Sequence, residues 1–204
     1  SDPRQYGPYG PAGRAVWMAC EKIADPAARS EPLFAGYEKA DSPGRAAILP
    51  SIARIGGDKA LATVHAAMKS DDQGLRDAGY RALANWPDAS VAEELLDIAK
   101  NSANEAYRIW TLRAYARVVS LPDAFAPEKA FEMLKSAMDL AARAEDRLLI
   151  VTRLAAVRAP GSLELLLSYL DDPALKEGAV EAVFLSAKGL SQSHPDIAEP
   201  ALRK

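Results

Sequence analysis

The stretch Asp72-Gln73-Gly74-Leu75-Arg76-Asp77-Ala78-Gly79-Tyr80-Arg81-Ala82-Leu83-Ala84-Asn85-Trp86-Pro87-Asp88 decides the fold of this 204-residue chain. An acidic residue opens it and a cation follows four positions on. Apolar and small residues then recur at helical spacing until Trp86-Pro87 ends the run. Positions three and four apart lie on one side of an α-helix, and an aspartate just ahead of them is a good N-cap. The stretch therefore reads as one amphipathic helix with its own start and stop signals.

The same pattern recurs along the chain. Arg45, Arg76, Arg108, Arg147 and Lys176 open five alignable segments, 31, 32, 39 and 29 residues apart. Four positions after the cation stand Leu49, Tyr80, Leu112, Val151 and Val180. Three further on stand Ile52, Leu83, Tyr115, Leu154 and Val183. The next column is Ala53, Ala84, Ala116 and Ala155, broken by Phe184. The large residues make one apolar stripe per segment, and the alanines let a neighbouring helix approach closely. Asp41, Asp72, Asn104 and Asp172 precede four of the cations by four residues as expected N-caps, a column that Arg143 breaks.

Each segment is followed by a turn and a second amphipathic stretch: Asp58–Lys69, Asp88–Lys100, Pro127–Leu140 and Ser162–Leu170. The extra segment Pro122–Pro127 accounts for the one long interval. A helix pair repeated about every 30 residues cannot bury its apolar faces alone and must stack on its neighbours, which predicts an α-solenoid. Residues 1–13, rich in Pro, Gly and Tyr, read as a flexible arm or linker.

On these residues the chain resembles the HEAT-repeat (HEAT-like, armadillo-type) family in its bacterial form, over about Asp41 to Lys188. The resemblance implies an all-α, right-handed α-solenoid (superhelix) of about five HEAT-like helical hairpins with capping helices. Residues 14–204 would form one domain: a capping hairpin at 14–40, repeats at 41–188 and a carboxyl cap at 189–204. It also implies that second helices line a concave side. The architecture is shared by many activities, so it does not by itself name one. Related bacterial arrays are attached to sugar-active and redox domains in large secreted proteins. A chain that opens on Ser1 fits a piece excised from such a parent, and an extracytoplasmic or periplasmic location is then open.

Composition narrows the classes. Hydrophobic residues are 49% and charged residues 26%, with a net charge of −3. The charge is even: 12 Lys+Arg against 14 Asp+Glu in residues 1–102, and 13 against 14 in residues 103–204. Phosphate neutralisation needs clustered cations, so nucleic acid is not expected as a partner. Cys20 is the single cysteine, which excludes an intrachain disulfide and fits either a reducing or a periplasmic compartment. The longest apolar runs, such as Leu148–Val151, are far short of the ~20 residues that span a bilayer, and no membrane insertion is expected.

No reactive constellation is legible. His65 and His194 are the two histidines, and no Ser or Cys nucleophile stands in a readable motif beside them. Cys20 lies at helical spacing from Trp17 and Ile23 and reads as a small core residue. The pairs Asp71-Asp72, Glu145-Asp146 and Asp171-Asp172 precede helices and lack calcium-loop spacing, so capping accounts for them. Gly56-Gly57 is a turn without the further glycines of a phosphate loop. The arginine column reads as structural, each side chain pairing with a carboxylate or carbonyl of its own or the adjacent repeat. Trp86 aligns with Ile55, Val118 and Val157 as a core anchor. Trp110 is bulkier than its column-mates Ala47, Ala78, Leu149 and Gly178.

The best remaining surface is the exposed face of the second helices. Glu93, Asp97 and Lys100 share one such face, and Tyr169 aligns with Asp97. Mixed charge suits a protein, or a neighbouring domain of the same parent chain. The expectation is a non-enzymatic interaction or spacer scaffold with no catalytic residue, no metal, no cofactor and no evident small-molecule ligand. The alternative is a DNA-binding enzyme similar to HEAT-like DNA glycosylases, which would need a positive cleft and a base-reading carboxylate.

Overall fold

The computed structural model describes residues 30–203. The arm expected at 1–13, the first part of the expected capping hairpin, and Trp17, Cys20 and Ile23 lie outside the described residues. The fold is all-α, a solenoid of helical hairpins, with no strand among the described residues. The chain divides into two compact units, Ser1–Pro87 and Asp88–Lys204.

The first unit contains α1 (Glu31–Lys39), α2 (Ser42–Ile55), α3 (Gly57–Met68) and α4 (Gln73–Ala84). Helix α1 packs on α2, α2 packs on both α3 and α4, and α3 packs on α4. The boundaries follow the sequence signals. Asp41 Oδ1 accepts from the Gly44 amide at 2.9 Å, and Asp72 Oδ1 accepts from the Leu75 amide at 2.8 Å. Each satisfies one of the orphan donors at a helix start. Between α2 and α3 the chain reverses through Gly56 and Gly57, with φ of 73° and 80°, a region where any side chain is strained. At Gly79 the backbones of α3 and α4 meet. A Cβ there would lie 2.7 Å from the Met68 amide nitrogen, so no larger residue fits without moving a helix. Leu49, Ile52, Val64, Leu83 and Trp86 fill the core between these helices.

The second unit begins with a 3₁₀ turn, Ala89–Val91, which Asp88 caps through the Ser90 amide at 2.8 Å. Helices α5 (Ala92–Asn101), α6 (Glu105–Val119), α7 (Pro127–Leu140), α8 (Ala144–Leu154) and α9 (Pro160–Ser168) follow. A second 3₁₀ turn, Tyr169–Asp171, leads to α10 (Lys176–Leu190) and α11 (Pro195–Ala201). Pro127, Pro160 and Pro195 sit in first turns, where a missing amide costs nothing.

The first helices of successive pairs stack as a ladder, α6 on α8 and α8 on α10. The second helices flank it: α5 packs on α6, α7 on α6, α8 and α9, α9 on α8 and α10, and α11 on α10. This is the repeat logic expected from the column alignment. The large columns are the core in α6 and α8, with Leu112, Tyr115, Val151 and Leu154 all buried; in α10 Val183 is buried but Val180 is exposed.

Two departures have local causes. Arg143 is the N-cap of α8 and offers no oxygen to the first amides, so that helix starts without a side-chain cap. Its guanidinium turns to Glu145 instead. The long interval between Arg108 and Arg147 is taken up by a loop in which Asp123 adopts φ 58°, a left-handed conformation that aspartate tolerates better than most residues. This loop, with Phe125, Val157 and Arg158, borders an open cleft of about 410 Å³.

Candidate binding surface

Helix α5 is built on an apolar underside. Ala92, Leu95 and Ala99 are buried, whereas Glu93, Asp97 and Lys100 are exposed at i, i+4 and i+7. The three charges therefore share one solvent face. Glu93 lies in the first turn and Lys100 in the last, each at the end whose backbone partial charge it complements. The Asn101 amide donates to Asp97 Oδ1 at 2.7 Å, holding that carboxylate along the helix.

Tyr169 has different surroundings. It closes α9 and opens the 3₁₀ turn, half-buried. Burial raises its phenol pKa, the positive charge of Arg147 opposes that rise, and Asp139 and Asp172 add to it. The tyrosine thus belongs to a polar cluster drawn from α7, α8 and the turn before α10.

The arginine column has a plain structural use. Arg45 Nε donates to the Tyr37 carbonyl at 3.1 Å and Nη2 to the Glu38 carbonyl at 3.2 Å. Arg76 Nη1 donates to the Ser70 carbonyl at 2.6 Å, and Arg108 Nη1 to the Ser102 carbonyl at 2.8 Å. In each case a cation from the first helix of a pair reaches back to the end of the preceding helix. Carbonyls at or just past the helix end, where the backbone carries partial negative charge, meet a guanidinium there. Arg147 departs from the pattern and bonds Asp172 Oδ2 at 3.4 Å.

The acidic pairs divide likewise. Asp72 is a cap, but Asp172 is not the N-cap expected of it: α10 starts after Leu175, and Asp172 Oδ1 instead closes the turn before it by accepting from the Ala174 amide at 2.9 Å. Asp146 does more than sit in the first turn of α8. It is buried and pairs with Arg113 Nε of α6 at 2.5 Å. A separation of 33 residues leaves no local trace of that pair in the sequence.

Trp86 is buried as its column requires. Trp110 is half-buried with its ring 5.7 Å from that of Tyr107, at 45°. His65 is half-buried, and His194 Nδ1 lies 3.0 Å from Ser193 Oγ. Among the described residues no three His, Cys, Asp or Glu side chains come together in a way that could hold a metal ion. No described helix is long and apolar enough to cross a membrane.

Residues 30–116 match the family model for HEAT repeats. No curated protein matches the chain. HEAT repeats in general mediate protein–protein interaction, and the family is typically a non-enzymatic scaffold.

Proposed function

From the match of residues 30–116 to the HEAT-repeat family model, we propose that this chain is a HEAT-repeat protein and a non-enzymatic scaffold that holds a partner protein on the exposed faces of its second helices. The observation that carries the reading is the α5 face. Glu93, Asp97 and Lys100 project together from a helix whose other side is locked into the core. Rigid, mixed-charge faces of this kind suit a protein surface that presents charges of both signs. Two carboxylates beside one ammonium repel phosphate, so the α5 face weighs toward protein and away from nucleic acid. Tyr169, an aromatic with one polar end, supplies a second contact point farther along the second helices.

The test compares the intact chain with a Glu93→Ala/Asp97→Ala/Lys100→Ala variant as baits in extract of the native source. All three side chains are exposed, so both baits should melt within about 2 °C of one another. A protein retained by the wild type and lost by the variant supports the α5 face. The same proteins on both baits would remove that face as the site and leave a spacer role.

A further inference from the structure

The first-helix ladder of the second unit has a direction. Counting from the cation that recurs in each segment, Arg113 stands five residues after Arg108 and reaches forward to Asp146 of α8. Leu148, one residue after Arg147, lies against Gly178 of α10, where a Cβ would come within 2.9 Å of Leu148 Cδ2. Position five of α6 and position one of α8 thus reach the next first helix, and positions four and eight lie on the same side of the helix as these. In α10 those positions are Glu177, Val180, Glu181 and Phe184, and all are exposed. Val180 is 55% and Phe184 56% exposed, although their counterparts Leu112, Val151 and Ala116 are buried. Leu185, 46% exposed, and Lys188 complete a stripe of spacing 3, 4, 7, 8 and 11 along one side of the helix. Phe184 is also the residue that replaces the alanine of the other four segments.

We propose that this face of α10 pairs with the same face of a second copy of the chain, antiparallel, as a weak two-fold dimer. The stripe is self-complementary, which a two-fold interface requires. Its amino end carries Glu177 and its carboxyl end carries Lys188, with Val180, Glu181, Phe184 and Leu185 between. When two such helices run antiparallel about a centre between Ala182 and Val183, Glu177 of one copy faces Lys188 of the other, twice. Glu181 of one copy then meets Phe184 of the other, Val180 and Leu185 flank them on opposite edges of the stripe, and the two helix dipoles also oppose favourably. The stripe is about 18 Å long at 1.5 Å per residue. That is too small for the ~1,200 Å² of a standard interface, so the dissociation constant is expected at roughly 10–100 µM.

Sedimentation velocity of the whole chain from about 5 to about 500 µM, a range that brackets that constant, reads the association directly. The wild type should pass from monomer to dimer across this range. Phe184→Glu should weaken association by about 30-fold or more, with an unchanged melting temperature because the side chain is exposed. Glu177→Lys and Lys188→Glu should each weaken it about 5- to 10-fold. The two single variants mixed together should associate better than either alone, as should the double swap Glu177→Lys/Lys188→Glu. A chain that stays monomeric throughout would overturn the proposal and leave the face to a helix of another source. So would dimerisation that Phe184→Glu or the charge swaps leave unchanged.

Discussion

At the scale of single residues, the arginine after each cap is the most informative side chain. A column of cations invites a reading as a ligand-gripping ladder. Three of its members instead donate to carbonyls at the end of the preceding helix. Arg76→Ala is therefore expected to cost about 1–2 kcal/mol, the worth of a charge-assisted bond to a partly buried carbonyl. It should lower the melting temperature by several degrees, with Arg76→Lys intermediate in a thermal scan. Tyr115 makes a second residue-scale prediction. It is buried, and burial pushes its phenol pKa up from 10.0 to about 12. The unfolded chain then loses that proton near pH 10 while the folded chain keeps it. The stabilisation is complete below pH 10 and is lost as pH rises toward about 12, by at most roughly 2–3 kcal/mol. Urea unfolding at pH 9, 10 and 11 should show this fall in the wild type and a shallower one in Tyr115→Phe.

At the scale of the element, caps and breakers made most helices legible. The second helix expected at Pro127–Leu140 forms over those residues, and the one expected at Asp58–Lys69 forms as Gly57–Met68. The helix expected at Asp88–Lys100 is interrupted at its start, because Asp88 caps a 3₁₀ turn before α5 begins at Ala92. Helix α8 is one of several described helices that start without a side-chain cap. Arg143 already has the extended backbone (φ −102°, ψ 141°) of an N-cap, so a small hydroxyl residue would fit without rearrangement. Arg143→Ser should stabilise the chain by about 0.5–1 kcal/mol, seen as a rise of about 2 °C in calorimetry. The lost pair with Glu145 subtracts little, since both partners are largely exposed.

At the scale of the whole molecule, each helix pair is stabilised chiefly by its neighbours, as in other repeat arrays. Damage at one joint should then be felt locally. Asp146→Asn removes the charge that pairs with Arg113 between α6 and α8, and should cost about 1–3 kcal/mol. Hydrogen exchange should quicken most in α6 and α8 and least in α2 and α4. A uniform loss of protection over both units would contradict nearest-neighbour coupling.

What the amino-acid order determined by itself is the period, the helix ends and the inward stripe. These rest on rules that act within about four residues: capping, the 3.6-residue turn and the breaking power of Gly and Pro. The shared solvent face of Glu93, Asp97 and Lys100 was legible for the same reason. Tertiary structure alone decided which columns look forward along the ladder. It also put Arg113 on Asp146, set Gly79 against the Met68 amide, surrounded Tyr169 with Asp139, Arg147 and Asp172, and left Val180 and Phe184 in solvent. Those contacts depend on the rotation and register of stacked helices, and neither can be counted off along one chain segment.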